Sequence, residues 1–414
     1  MNTLKSVLLT ALVIFSILNI LSANIFNPSI HDAKIRKAFK TSAEIRAGAA
    51  SKNEDESVDL VVKDHAGIVQ EYLKPKNIYS FSTILDRLLF SFPYNPYDEV
   101  EKNIFQIWKT SDMDDEEHFP KDCKTLVERW SDANPEYDHR LFSVSEAEDL
   151  VADILRPQVP EVVEALRYLP NERLKFEFLK FLILYLNGGV YADVDTIAVK
   201  PIRFWYNLPS FKTKVWLGID SDPNSADWSD NYSRRLTFNN NILRAKSNHP
   251  LLARIIARIT FIINTNKELI QTTDWNKEYE NCDASGAPIV QFTGTSLLTD
   301  TVFEYLNTID QYLFFTTIKN ELFIKERVQL HKEVFGPDVD PEQRFSYKTF
   351  TLLGNPVQVQ DIAILPKISF TGYDTAQIDF FDDSNEKKGY DKFYYGRSKF
   401  LTEWSPKKLR LDSN

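Results

Sequence analysis

Two regimes of apolar and polar positions run along the 414-residue chain. Near the start, Val7 to Leu21 is an apolar run broken only by Thr10, Ser16 and Asn19. Extended from Leu4 to Phe26, it reaches the about 20 residues that a membrane-spanning helix needs. From residue 27 to 97 the pattern dissolves into mixed charge and polar clusters such as Ser51–Ser57. That stretch reads as a partly helical spacer, closed by Phe90–Tyr97 with Pro93 and Pro96. From Asn103 onward short apolar runs alternate with helical periodicity. Ile104–Trp108, Tyr137–Phe142, Val190–Ala192, Val215–Ile219, Val357–Val359 and Ile362–Leu365 predict strands. Asp122–Trp130, a segment opened by Ser145, Arg173–Leu186, Pro250–Ile263 and Thr295–Leu306 predict helices. Arg254 and Arg258 make the apolar segment Leu251–Ile263 amphipathic rather than membrane-spanning. The alternation predicts an α/β domain with a largely parallel sheet and ligands at strand ends.

Two fates stay open for the first apolar run: an uncleaved signal anchor, or a signal peptide cut near Ala23. Leu21 and Ala23 make a poor small-x-small cleavage site, which favours the anchor. Lys34, Arg36, Lys37, Lys40 and Arg46 lie downstream and weigh against it, because positive charge is not concentrated on the N-terminal side. With an anchor, the expected organisation is a cytoplasmic tail at 1–6, the anchor at 7–26, a stem at 27–97 and the main domain at 98–414.

Composition narrows the class. With 43 % apolar and 26 % charged residues the chain is globular. Two cysteines, Cys123 and Cys282, exclude a disulfide scaffold or a four-thiolate zinc site; whether they pair with each other is open. A net charge of −10 argues against a nucleic-acid binder. Nearly all of it sits in residues 101–200, with 12 basic and 21 acidic side chains. Asp112–Glu117 contributes a cluster that reads as a solvated loop.

The chemistry centres on Asn187–Thr196. Gly188 and Gly189 permit a sharp turn and close approach of a ligand. Asp193 and Asp195, two apart at a strand end, can aim their carboxylates the same way. Two adjacent carboxylates repel, and a hard divalent cation resolves the repulsion. An Asp-x-Asp alone fits a solvated turn better than a metal site; the glycines and the apolar helix before them shift the balance toward the metal. Glu177 and Lys180 are the only charged residues between Phe176 and Leu186 and share one face of that helix. They form either a surface ion pair or a polar pair aimed into the site.

The run from Glu177 through Asn187-Gly-Gly-Val-Tyr-Ala-Asp-Val-Asp-Thr196 to Ile202 resembles the signature of the DXD glycosyltransferases. Together with Ile104–Lys109, Phe238–Pro250 and Gln291–Thr299, it makes the chain similar to fungal Golgi α-1,6-mannosyltransferases of glycosyltransferase family 32. The likeness spans roughly residues 103 to 370. It implies a single catalytic domain of GT-A fold, a Rossmann-like nucleotide-diphospho-sugar transferase, behind the anchor and stem of a type II Golgi membrane protein. It implies GDP-mannose as donor, with Mn²⁺ (or Mg²⁺) held by Asp193 and Asp195. Glu177 and Lys180 would join these two in catalysis, and Gln106, Trp108, Gly188, Gly189 and Tyr191 would line the nucleotide site. The implied reaction transfers mannose to N-glycan or mannan acceptors as an α-1,6 linkage with retention. No nucleophile is assigned.

The chain departs from the family pattern in places. Glu177 and Lys180 stand where the family has Asp and Arg, and Lys lacks the bidentate fork. No histidine follows His331, so the third metal ligand is unassigned. Arg397 or Lys399 would neutralise phosphate instead. These departures motivate an alternative, a weakly active or structural subunit of a hetero-oligomeric mannan-polymerising complex. A UDP-sugar donor and a sphingolipid acceptor are further alternatives. Of the lesser features, His249-Pro250 reads as a helix cap, and Asn231-Tyr-Ser233 as a glycosylation triplet.

Overall fold

The computed structural model describes residues 83–207, 213–223, 225–281, 290–317, 345–372 and 392–402, all within the compact unit Ala66–Asn414. The expected tail, anchor and stem up to residue 82 lie outside them, as do Cys282 and His331. Among the described residues no helix is long and apolar enough to cross a membrane.

Helix α1 (Ile84–Ser91) starts at Thr83, whose hydroxyl accepts the Asp86 N–H at 3.0 Å. It falls in the stretch expected as stem, yet Leu88 and Leu89 are buried in the main core. Strand β1 (Asn103–Trp108), helix α2 (Lys124–Ala133) and strand β2 (Asp138–Ser143) follow. Helix α3 (Val144–Leu155) is opened by Ser143, not Ser145: the Ser143 hydroxyl and the Glu146 carboxylate cap each other's backbone N–H. Helix α4 (Pro160–Tyr168) starts on a proline, and α5 (Glu172–Asn187) ends at Gly188. Then come β3 (Gly189–Ala192), β4 (Thr196–Ala198), β5 (Val215–Ser221), β6 (Thr237–Phe238) and β7 (Ile242–Ala245). Helix α6 (Pro250–Thr265) is capped by His249, whose Nδ1 accepts the Leu251 N–H at 3.2 Å, as expected. Helix α7 (Gly294–Thr317), β8 (Val357–Val359), β9 (Ile362–Leu365) and β10 (Gly396–Ser398) complete the order.

The main sheet runs β2-β1-β3-β7-β5-β9-β8, with β6 paired to β5. β2, β1, β3, β5 and β9 point one way; β7, inserted between β3 and β5, and edge strand β8 run against them. The sheet is therefore mostly parallel but mixed. A two-strand antiparallel sheet, β10-β4, stands apart.

Helix α5 packs against α3, α4 and α6, and nearly every residue of its middle two turns is buried. That is why its sequence is apolar all round rather than striped. Between α5 and β3 the chain reverses on Gly188 (φ +63°) and Gly189 (φ +105°). A Cβ on Gly189 would stand 2.4 Å from the Asn103 carbonyl oxygen. The close approach these glycines permit is that of β1 to β3, within the protein.

A buried polar junction fastens the segment after α1. Tyr94 Oη donates to Asp361 Oδ2 at 2.5 Å, and His249 Nε2 lies 3.4 Å from the same oxygen. Because His249 Nδ1 accepts a backbone proton, Nε2 carries the ring proton toward Asp361. Burial pushes the Asp361 carboxyl up, but His249 and the Tyr94 hydroxyl outweigh it and hold it below the ordinary carboxylate value. Its stabilisation is therefore complete above about pH 4 and is lost as pH falls through the lower folded value. Urea melts between neutral and acid pH should show Asp361→Asn with a shallower loss of stability on the acid side. An acid limb as steep as the wild type would contradict this.

Candidate active site

The site forms at the C-terminal end of β3, where β1, β5 and β9 also end. After Ala192 the chain makes a tight turn. The Thr196 N–H and hydroxyl both donate to the Asp193 carbonyl, at 3.0 and 2.5 Å. The same carbonyl accepts Gln106 Nε2 at 3.2 Å, and the Asp193 N–H donates to Asn241 O at 2.8 Å. The Lys399 N–H reaches the Asp195 carbonyl at 2.7 Å from the end of β10. Three distant parts of the chain thus hold the Asp193–Asp195 backbone without using either carboxylate.

Lys180, on the α5 face that looks toward this turn, is 0 % exposed. Its Nζ lies 3.1 Å from Glu177 Oε2, 3.8 Å from Asp193 Oδ1 and 3.4 Å from Asn240 O. It also lies over the rings of Phe176 and Tyr191, at 4.9 and 5.5 Å. Asn240 Nδ2 donates to the same Glu177 oxygen at 3.0 Å, and Tyr191 Oη donates to Asp193 Oδ1 at 2.7 Å. Of the two readings of Glu177 and Lys180, the inward one holds: the pair is part of the acidic turn, not of the surface.

Charge is unbalanced here. Burial is the main reason the Asp193 carboxyl is pushed up to about 7; Asp195 and Glu177 add to it, while Lys180 and the Tyr191 hydroxyl pull it down. Glu177 and Asp193 share one buried ammonium. Removing that ammonium strands both, so Lys180→Ala should destabilise the fold by about 3 kcal/mol. The denaturant midpoint measures it; a midpoint unchanged from wild type would show that Lys180 holds no buried charge in place.

The acidic surplus and its all-oxygen donors fit a hard divalent cation. Among the described residues no three His, Cys, Asp or Glu side chains gather to hold a metal by themselves. Asp193 and Asp195 would therefore bind it with help from substrate oxygens. Asp193 uses Oδ1 for Tyr191 and Lys180, and Oδ2 is left for a ligand.

Residues 120–214, which include α5, β3 and both aspartates, match the family described as glycosyltransferase sugar-binding region containing DXD motif. The initiation-specific α-1,6-mannosyltransferase of Candida albicans is 32 % identical over 340 residues, covering 80 % of each chain. The protein of the same name from Saccharomyces cerevisiae is 26 % identical, covering 72 % of this chain and 78 % of its own. This chain belongs to that fungal family of DXD glycosyltransferases. The counterpart from Schizosaccharomyces pombe is 28 % identical over 69 % of this chain and 60 % of its own. Among solved structures, PaToxG Glycosyltransferase covers 69 % of the chain at 13 % identity and a TM-score of 0.32, too loose to carry an argument.

Within this glycosyltransferase the expected nucleotide-contacting residues take other places. Gln106 is fully buried, with Nε2 on the Asp193 carbonyl and Oε1 2.8 Å from His139 Nε2. Tyr191 is fully buried and acts through Asp193. Trp108 packs against Phe119, Cys123, Val127 and Val194, and its indole N–H donates to His118 O at 2.9 Å. Only its edge lines a recess of about 290 Å³ with Lys109 and the segment Glu116–Lys121. Gly188 and Gly189 lie at the opposite end of β3 from Asp193, closed over by Glu101, Ser247 and Asn103. These five support the turn and the sheet; apart from the part of Trp108 that lines the recess, the surface they were expected to offer a nucleotide is taken by the protein itself.

Sequence reasoning missed Asn240, which ties Glu177 to the strand region before β7. The signal was Asn239-Asn-Asn241, three amides in a row just ahead of a buried strand. Cys123 is a free, buried thiol, pushed up to about 12 by burial and then by the nearby Asp195 carboxylate. Among the described residues it has no disulfide partner, and Cys282 lies outside them.

Proposed function

We propose that the protein is a mannosyltransferase that takes mannose from GDP-mannose and adds it in α-1,6 linkage, with retention, to a mannose-rich N-glycan or mannan acceptor. It works in the Golgi lumen behind an N-terminal anchor. The observation that carries the reading is the buried Glu177–Lys180–Asp193 chain beneath the acidic turn, in a protein whose relatives bear the name α-1,6-mannosyltransferase.

Asp193 and Asp195 would hold Mn²⁺ or Mg²⁺, which when bound supplies Lewis-acid stabilisation to the leaving diphosphate. The protein's own residues do the rest. Lys180 opposes the upward pull of burial on Asp193 and fixes its carboxylate. Glu177 Oε2 is occupied by Lys180 and Asn240, and Oε1 is left to accept a sugar hydroxyl. Gly294, with no side chain, opens space beside Glu177: a Cβ there would stand 3.9 Å from Oε2. The turn is pinned by backbone bonds, so the carboxylates are preorganised before a substrate arrives.

The test is donor profiling of the purified protein with an α-mannoside acceptor, with and without MnCl₂. GDP-mannose should be used in preference to UDP-sugars, and chelation should abolish transfer. Transfer from a UDP-sugar with GDP-mannose inert would refute the donor.

A further inference from the structure

The Asp193 carbonyl oxygen ends two chains of hydrogen bonds, and both begin on consecutive residues of helix α2. From Trp130, fully buried, the indole N–H donates to Thr196 Oγ1 at 3.2 Å, and that hydroxyl donates to Asp193 O at 2.5 Å. From Ser131 the second chain passes through two more side chains. Ser131 Oγ lies 2.5 Å from His139 Nδ1, His139 Nε2 lies 2.8 Å from Gln106 Oε1, and Gln106 Nε2 donates to Asp193 O at 3.2 Å. His139 of β2 stands opposite Ile104 of β1, so its side chain and that of Gln106 rise from the same face of the sheet. Two further residues of α2 and its end brace the stretch after the turn. Arg129 Nε donates to Ala198 O at 2.9 Å, and Asn134 Oδ1 accepts the Ile202 N–H at 2.7 Å.

The second chain runs in one direction only. A backbone carbonyl can only accept, so the Gln106 end that faces Asp193 is its NH₂ and the end that faces His139 is its oxygen. That oxygen needs a donor, which places the ring proton on Nε2. Burial holds the His139 imidazole below its ordinary pKa, against the pull of Asp138, so the ring is neutral at neutral pH and Nδ1 is bare. Nδ1 then accepts the Ser131 hydroxyl. Without the histidine proton, the Gln106 amide could turn over and set its own oxygen against the Asp193 carbonyl. Gln106 is fully buried, so solvent does not replace the lost donor. The two protons that Thr196 gives to this carbonyl come from within the turn. The one from Gln106 ties the turn to the sheet.

We propose that His139 is a positioning residue of the active site: its Nε2 proton fixes the Gln106 amide, which holds the Asp193–Asp195 turn on β1 in the orientation that takes a cation. This rests on the metal role given to the aspartates above. Both ring nitrogens are engaged, so His139 acts on the turn only through Gln106.

Manganese binding to the full chain in detergent, with GDP present and free Mn²⁺ read by electron paramagnetic resonance, tests the assignment. His139→Phe keeps a ring and removes both bonds; its Mn²⁺ Kd should rise by about fivefold. Gln106→Ala should raise it at least as much. Adding His139→Phe to Gln106→Ala should then change the Kd by less than about twofold, because the histidine has nothing left to act on. His139→Gln, whose amide can still donate to Gln106, should return to within about twofold of wild type. Where the phenylalanine variant does not fold, Ser131→Ala takes its place in the same cycle, and its smaller rise should likewise vanish in Gln106→Ala. A Kd unchanged in folded His139→Phe, or a rise that adds fully to that of Gln106→Ala, overturns the assignment and leaves the metal reading standing. A wild type that takes up no Mn²⁺ overturns both.

Discussion

Replacing Asp193 and Asp195 together by alanine is expected to lower mannosyl transfer by at least about a thousandfold. The estimate follows from what each side chain does. Neither carboxylate holds the turn: Thr196, Gln106, Asn241 and Lys399 all bond to backbone atoms of residues 193–195. The double variant should keep its fold while losing the charge that a cation and a leaving diphosphate require. Lys180 retains Glu177 as a partner 3.1 Å away, so no buried ammonium is stranded. Rates at saturating GDP-mannose, read beside a thermal melt, check both halves of the expectation. Activity within tenfold of wild type, in a protein that melts normally, would refute a working role for the aspartates. It would then favour the alternative of a structural subunit in a larger complex.

The second large effect concerns stability. Gly189→Ala should destabilise the domain by about 4 kcal/mol or more, because strain and collision act together. At φ +105° an L-residue is already unfavourable, and the added Cβ would meet the Asn103 carbonyl at 2.4 Å and its carbonyl carbon at 3.0 Å. Both are backbone atoms of a paired strand and cannot swing aside. At neighbouring Gly188 the nearest atom, Glu101 Oε2 at 1.8 Å, ends a side chain, although the Ser247 nitrogen at 2.6 Å does not move so easily. A melting temperature lowered by about 8 °C, or failure to accumulate as soluble protein, is the expected outcome for Gly189→Ala. A melt within about 2 °C of wild type would mean that β1 and β3 separate at little cost.

Apolar runs announced strands in the buried middle of the sheet and also its two edges, Tyr137–Phe142 and Val357–Val359. Ile104–Trp108 and Ile362–Leu365 were legible because no face of them meets water. Strands β4, β6, β7 and β10 were not, since they are short and set among polar or charged neighbours where no apolar run stands out. The reversed β7 is visible only once its partners are known. At the site, the sequence located the acidic turn and paired Glu177 with Lys180, because charge in an apolar helix is conspicuous. It could not tell that Lys180 is sealed off from solvent, nor that Gln106 and Tyr191 hold the turn from within. Gly188 and Gly189 were seen as permissive, but whether a ligand or a strand moves into the space depends on a residue 85 or so positions earlier. Asn240 was marked only as one of three consecutive amides, Asn239–Asn241, with nothing to link it to Glu177.

The pairing of β10 with β4 also bears on how the protein comes into being. Residues 396–398 lie beside residues 196–198, across some 200 positions of chain. During synthesis β1, α5 and β3 can emerge and pack long before β10 is made, because domains begin folding as the chain appears. The acidic turn would then exist without its outer strand. Closing so long a loop is slow, since its entropy must be met before the contact stabilises anything. The transferase therefore completes its site last, when synthesis is nearly finished. A chain cut short before residue 392 would carry the sheet and both aspartates but lack one wall of the site.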